Sequence, residues 1–192
     1  ASTSGDHKAA VTHRAALLAL SPRNRELTKD LARAHTRAGD PAAALKLFQR
    51  LIARTRDAAR KAELLKEAGK VSAAAGKPGE AVALFRKAMA LTTRGHWLRR
   101  ELTEEIINIH RQGETLPELI KDFEKRFRRP SAFEHQVLGR LYDETGDEEK
   151  ALTAYRAALR GAPHEVRVWL RVIALLDRSG RAKDAVAAYR GL

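Results

Sequence analysis

Lysine and arginine recur four residues apart in two helix-forming stretches, Lys29 with Arg33 and Lys66 with Lys70. At that spacing both side chains of a pair share one helix face, where cations can hold carboxylates or phosphates. Arg37 and Glu26 extend the first stretch, and Glu63 the second. Like charges four apart repel by only a few tenths of a kcal/mol, roughly, so a merely solvated face tolerates them too. Either way, the chemistry is recognition. Bond-making chemistry has little support: the seven histidines are scattered, and no HExxH or GxSxG occurs. GKPGE at Gly76 has no strand before it and no GK[ST] after it, so it is no phosphate loop. The absence of cysteine removes disulfides and thiolate metal sites. No cofactor and no metal are expected, and enzyme is the least supported class.

A second basic cluster is FEKRFRRPSAF, from Phe123 to Phe133. Aromatics interleaved with arginine can stack on and pair with single-stranded RNA. The same residues suit an amphipathic helix, with Phe123 and Phe127 four apart on its core side. Arg126, Arg128 and Arg129 would then lie at its C-terminus, where cations complement the dipole.

The wider composition leans toward acidic partners. The net charge is +13 over 192 residues. Residues 1–61 hold 13 basic and 5 acidic side chains, residues 62–131 hold 14 and 10, and residues 132–192 hold 10 and 9. Such an excess favours acidic proteins, nucleic acid or anionic surfaces; an arginine-rich solvated surface is the plainer reading. Hydrophobic residues make up 44% and aromatics 5%, with alanine and leucine dominant, which suits close-packed helices better than sheets. No apolar run approaches the roughly 20 residues of a membrane span. The chain begins with Ala1 and not Met, which leaves a removed leader or a trimmed start open. Cytoplasm and periplasm are both compatible, so localisation is unassigned. ASTSGDHK, residues 1–8, is expected to be a disordered lead-in.

The elements that must carry these charges follow from a repeat. Glycines followed by a charged residue fall at Gly39-Asp40, Gly76-Lys77, Gly113-Glu114, Gly146-Asp147 and Gly180-Arg181, at intervals of 37, 37, 33 and 34 residues. Each is flanked by apolar stripes at helical spacing, as at a helix–turn–helix joint. Pro41 and Pro78 open the helix that follows, on a fixed φ. In one unit Leu138, Leu141 and Tyr142 form one face, and Ala151, Leu152, Tyr155 and Leu159 the next; Gly139 and Ala151 are small where the two helices should cross. Pro163 stops the second helix.

This series, with Leu138-Gly139, Tyr142, Gly146-Asp147, Ala151, Tyr155, Ala158 and Pro163, resembles the 34-residue unit of the tetratricopeptide repeat family. His135 stands where that family usually has tryptophan; the next unit supplies it as Trp169, followed by Leu176, Gly180, Ala185 and Tyr189. Earlier units match through Leu31-Ala32, Gly39-Asp40, Ala44 and Phe48, and through Ala68-Gly69, Gly76, Ala81, Phe85 and Ala88. The unit at Gly113 is the most degenerate, with Glu118 at the alanine position and a second helix expected to pack through Leu119, Ile120, Phe123 and Phe127.

The resemblance implies an all-α, right-handed α-solenoid of roughly five helical hairpins over residues 9–192. The expected units are 9–24 (partial), 25–61, 62–98, 99–131, 132–165 and 166–192. It also implies a non-catalytic protein–protein interaction scaffold whose first helices line a concave groove. The expected partner-binding residues are Lys29, Arg33, Arg37, Lys66, Lys70, Phe133, Gln136 and Arg140, and the expected partner is an acidic protein or peptide segment. Some family members grip chaperone C-termini through Lys, Arg and Asn on first helices; here Asn108 is the only asparagine on the full units' first helices, so that clamp is incomplete. RNA binding is the alternative. His35 and His110, where the family often has tyrosine, are expected to be packing residues. Both ends leave apolar faces uncovered, so the chain is expected to be an excerpt of a longer protein or to self-associate by end stacking.

Overall fold

The computed structural model describes residues 2–93 and 96–192. Among the described residues all regular structure is helical, in eleven helices. They are α1 (Ser2–Leu20), α2 (Arg25–Arg37), α3 (Pro41–Arg54), α4 (Ala58–Ala74), α5 (Pro78–Ala90), α6 (Trp97–Gln112), α7 (Leu116–Arg126), α8 (Ala132–Glu144), α9 (Glu148–Gly161), α10 (Val166–Arg178) and α11 (Ala182–Gly191). The expected class, an all-α solenoid of helix pairs, is the one the chain adopts. It divides into two compact units, Ala1–Ile109 and His110–Leu192.

The joints between paired helices share one hydrogen-bond pattern. Gly39, Gly76, Gly146 and Gly180 take φ of 78°, 72°, 82° and 68°, a conformation that glycine adopts without a Cβ penalty. At each, the next residue's N–H reaches back five residues: Asp40 to His35 O at 2.9 Å, Lys77 to Ser72 O at 2.9 Å, Asp147 to Tyr142 O at 2.9 Å, Arg181 to Leu176 O at 2.9 Å. This is the Schellman arrangement, which satisfies the last free carbonyls of a helix. Asp40 and Asp147 then accept from Ala43 N and Lys150 N, so the same residue caps the helix that follows.

The degenerate joint is displaced. Its left-handed residue is Glu114, at φ 56°, and not Gly113. Thr115 N bonds His110 O at 2.8 Å and Glu114 N bonds Arg111 O at 3.2 Å, which reproduces the other joints one residue later. The residue at the alanine position is therefore Leu119, fully buried, instead of Glu118. Ile107, also fully buried, holds the position of Gly69 and Gly139. The boundary between the two compact units falls inside α6, the first helix of this repeat.

In the first unit each helix from α1 to α5 packs on its successor, around Ala32, Ala44, Phe48, Leu51, Ala68 and Val71. In the second, each helix from α7 to α11 packs on the next, around Leu141, Leu152, Tyr155, Leu175 and Leu176. The small positions act as expected: a Cβ on Gly139 would lie 2.7 Å from Tyr155 Cδ1, and one on Gly69 would strike the Phe85 ring. In α7, Leu119, Ile120 and Phe123 are buried as the spacing predicts.

Two expectations about ends and boundaries change. Residues 2–8, read as a disordered lead-in, belong to helix α1; their alanine-poor composition does not prevent the helix from running back from its packed part. Helix α4 starts at Ala58, ahead of the expected boundary at 62, because Asp57 caps it by accepting from Arg60 N at 2.8 Å. At the ends, Leu20 in α1 and Val186 and Tyr189 in α11 are exposed.

Candidate interaction surface

The first helices of the N-terminal unit, α2, α4 and α6, carry the cations singled out from the sequence, and the repeat period decides what each cation meets. Arg33 Nη2 lies 3.4 Å from Glu67 Oε2, 34 residues away. Lys66 Nζ contacts Glu63 at 3.0 Å and Glu101 at 3.2 Å; Lys70 Nζ contacts Glu101 at 3.0 Å and Glu105 at 3.2 Å. Successive first helices are thus joined by a ladder of ion pairs about one repeat apart in sequence. The second unit repeats the device with Arg111 and Glu144 at 2.9 Å and with Arg178 and Asp143 at 2.6 Å.

The pairing holds these groups charged. Burial opposes the Lys66 charge, but the hydrogen bonds and fields of Glu63 and Glu101 outweigh it and raise its pKa. Lys70 is raised in the same way by Glu101 and Glu105. Burial would raise the Glu101 carboxyl, yet Lys70 and Lys66 hold it below its ordinary value.

Sequence alone placed these lysines on a free basic strip. In the structure Lys66 is buried, Lys66 and Lys70 are shared among three glutamates, and Arg33 is paired. Among the described residues Lys29 is tied to exposed Glu26, at 3.6 Å. Arg37 forms no ion pair among the described residues, and it borders a cleft of about 270 Å³ with Arg33, Lys70 and Glu67 above Phe48 and Val71. A neighbouring cleft of about 540 Å³ runs along α2 and α4, with Lys29, Arg33 and Arg60 facing Glu63 and Glu67 across Leu51 and Leu64. The face is therefore of mixed sign, with Lys29 and Arg37 the cations of it that no glutamate of a neighbouring repeat holds among the described residues. Phe133, Gln136 and Arg140 lie half-buried on α8 of the second unit, with Arg140 3.8 Å from Glu144.

Trp97 was not singled out by spacing. It opens α6 with its ring 59% exposed, and Lys66 Nζ lies 5.4 Å from the ring centroid. The signal was available: Leu98 and Leu102 form the buried stripe, so the residue before Leu98 must lie off it. An exposed tryptophan beside a cation is a frequent binding hot spot.

The other candidates resolve as packing. Phe123 and Phe127 stack on each other with centroids 4.8 Å apart, and Arg126 is held by Asp122 at 2.7 Å. His35 Nδ1 faces Asp40 at 3.3 Å and His110 Nδ1 faces Thr115 Oγ1 at 2.8 Å; each ring clasps its own turn. Among the described residues no His/Asp/Glu group is arranged to hold a metal, and no helix is long and apolar enough to cross a membrane.

Residues 2–68 and 137–192 each match a family model described as tetratricopeptide repeat. The chain belongs to the tetratricopeptide repeat family. A curated relative, the peroxisomal targeting signal 1 receptor of Dictyostelium discoideum, is 36% identical to this repeat protein over 64 residues, 32% of the chain and 10% of the relative. The match thus spans about a tenth of that relative's length. Among solved structures, the C-terminal part of a TPR repeat-containing protein from Cytophaga hutchinsonii aligns with a TM-score of 0.62 at 17% identity, over 97% of this chain and 72% of that one. A tetratricopeptide repeat protein from Parabacteroides merdae aligns with a TM-score of 0.52 at 15% identity, over 96% and 71%. These two likenesses concern the fold alone.

Proposed function

We propose that this tetratricopeptide repeat protein is a non-catalytic interaction scaffold that seats a short segment of a partner protein on the first-helix face of its N-terminal unit. The observation that carries this reading is the pair of adjoining clefts along α2 and α4, with apolar floors, with Lys29 held at 3.6 Å by exposed Glu26 and with Arg37 in no ion pair among the described residues. A surface already formed by packed helices loses little ordering entropy when it binds. Leu51 and Leu64 would take apolar side chains of the segment, and Lys29 and Arg37 its carboxylates. Lys66 and Lys70, already neutralised by glutamates, keep the face rigid and contribute less to attraction. The relative named as a targeting-signal receptor is in keeping with recognition of a short segment. No catalytic role is assigned: the carboxylates Glu63 and Glu67 that line the clefts are engaged in ion pairs.

The test is a library of labelled 12-residue peptides of graded charge, screened against the wild-type chain and a K29Q/R37Q variant. Peptides combining acidic and aliphatic residues should be selected, and the variant should bind them at least tenfold more weakly with unchanged helicity. Selection of basic peptides, or equal binding by the variant, would remove the groove from the account.

A further inference from the structure

A concentration of positive charge without ion pairs among the described residues lies off the ladder, where α1, α2 and α3 meet. A cleft of about 610 Å³ there is lined by Arg23, Arg25, Arg50 and Arg54, and no carboxylate lines it. Among the described residues none of these four arginines forms an ion pair. Arg25 Nη2 donates to Arg54 O at 3.1 Å, which anchors one guanidinium at the end of α3. Arg50 and Arg54 are one helical turn apart, so both project from the same face of α3. The floor is aliphatic, formed by Leu18, Leu47 and Leu51.

We infer that this cleft is a second binding site, adjoining the first-helix face at Arg25 and Leu51, for a protein segment in which acidic side chains flank an aliphatic residue. Four exposed cations around one opening repel each other weakly through screening solvent, and a bound carboxylate gains from all of them at once. Guanidinium groups present paired N–H donors that match a carboxylate in bidentate fashion. The leucine floor adds a requirement that a bare anion does not meet: an apolar group must cover it for the cleft to be dry. Nucleic acid fits the charge but not the lining, because no aromatic ring borders the cleft to stack on a base. The contrast with the first-helix face supports the assignment. There the repeat period supplies a glutamate to most cations, whereas here none is supplied. The first 61 residues, which include all four arginines, also hold most of the chain's charge excess, with 13 basic against 5 acidic side chains.

The experiment separates this cleft from the groove by removing the groove's cations first. A fluorescein-labelled peptide of sequence EELEELEE is titrated by anisotropy, at about 0.15 M salt, into K29Q/R37Q and into K29Q/R37Q/R50Q/R54Q. Arg50 and Arg54 are exposed, so the added pair of substitutions should leave helicity unchanged, checked by circular dichroism. For the cleft, K29Q/R37Q should bind the peptide, the quadruple variant should bind it at least tenfold more weakly, and the QQLQQLQQ peptide should bind neither. Equal affinity in the two variants, or no binding by K29Q/R37Q, would overturn the inference and leave the groove reading standing. Displacement of the peptide by millimolar inorganic phosphate, or by an equimolar twelve-nucleotide oligouridine, would also overturn it, reducing the cleft to a general anion or nucleic-acid site.

Discussion

Gly139 has no side chain because the ring of Tyr155 fills the place where one would be: a Cβ there would stand 2.7 Å from Cδ1 and 2.9 Å from Cε1. The pair fixes how closely α8 and α9 approach, and Gly69 with Phe85 does the same for α4 and α5. Gly139→Ala gains roughly 1 kcal/mol of helix propensity and loses about 1–3 kcal/mol to overpacking. The expected outcome is net destabilisation, read as a lower urea midpoint. Adding Tyr155→Leu should recover part of the loss that the alanine alone causes. A stabilised G139A single variant would show that the helices are not held at this distance.

The displaced joint predicts the opposite sign. Glu114 is a non-glycine residue at φ 56°, a conformation that costs an L-residue roughly 1 kcal/mol or more. Glu114→Gly should raise stability by about 0.5–1 kcal/mol after the added freedom of the unfolded glycine is subtracted. Gly113→Ala should be tolerated at the same joint. Chemical denaturation of the two variants checks both.

Glu101 joins Lys66 and Lys70 across one repeat. Glu101→Gln should destabilise the chain by about 1–2 kcal/mol, a range that already allows for its partial exposure. The sign with pH follows from linkage. Glu101 has a lowered folded pKa, so its contribution is complete above the unfolded value of 4.5 and is lost as pH falls through the folded one. Lys66 and Lys70 are raised, so theirs is complete below 10.5 and is lost as pH rises further. Melting temperatures across pH should be flat between those limits for this cluster, and Glu101→Gln should flatten the acid limb. An unchanged acid limb would show that the ladder is not coupled to folding.

Trp97 should matter for binding and little for folding. The residue is 59% exposed, and His96 and Lys66 lie against its ring. Trp97→Ala is expected to change stability by no more than about 1 kcal/mol. It should weaken the library-selected segment by about tenfold or more. Isothermal titration beside thermal melts separates the two effects.

How far the sequence could be read follows from the same residues. Four of the five joints were legible because glycine, a charged residue after it and a change of apolar stripe coincide at Gly39, Gly76, Gly146 and Gly180. The fifth was misplaced by one residue: Gly113 attracts the eye, but the chain puts Glu114 in the left-handed position so that Leu119 can enter the core. The cations were found, but not their partners. A ladder between helices pairs residues about one repeat apart, as Arg33 with Glu67, and a scan along one helix at a time does not register that. The arginine cleft was missed for a related reason: Arg23 and Arg25 lie some 25 to 30 residues before Arg50 and Arg54, and only folding brings them to one opening.

The most direct test of the scaffold account is to map a bound segment onto the helices. Backbone amide shifts of the isotopically labelled chain should be followed while the best peptide from the graded-charge library is added. The account predicts that the largest changes fall on the first helices of the N-terminal unit, around Lys29, Arg33, Arg37 and Trp97, and that they persist in R50Q/R54Q, with α5 unmoved. Changes confined to the second helices, or spread evenly along the chain, would contradict it.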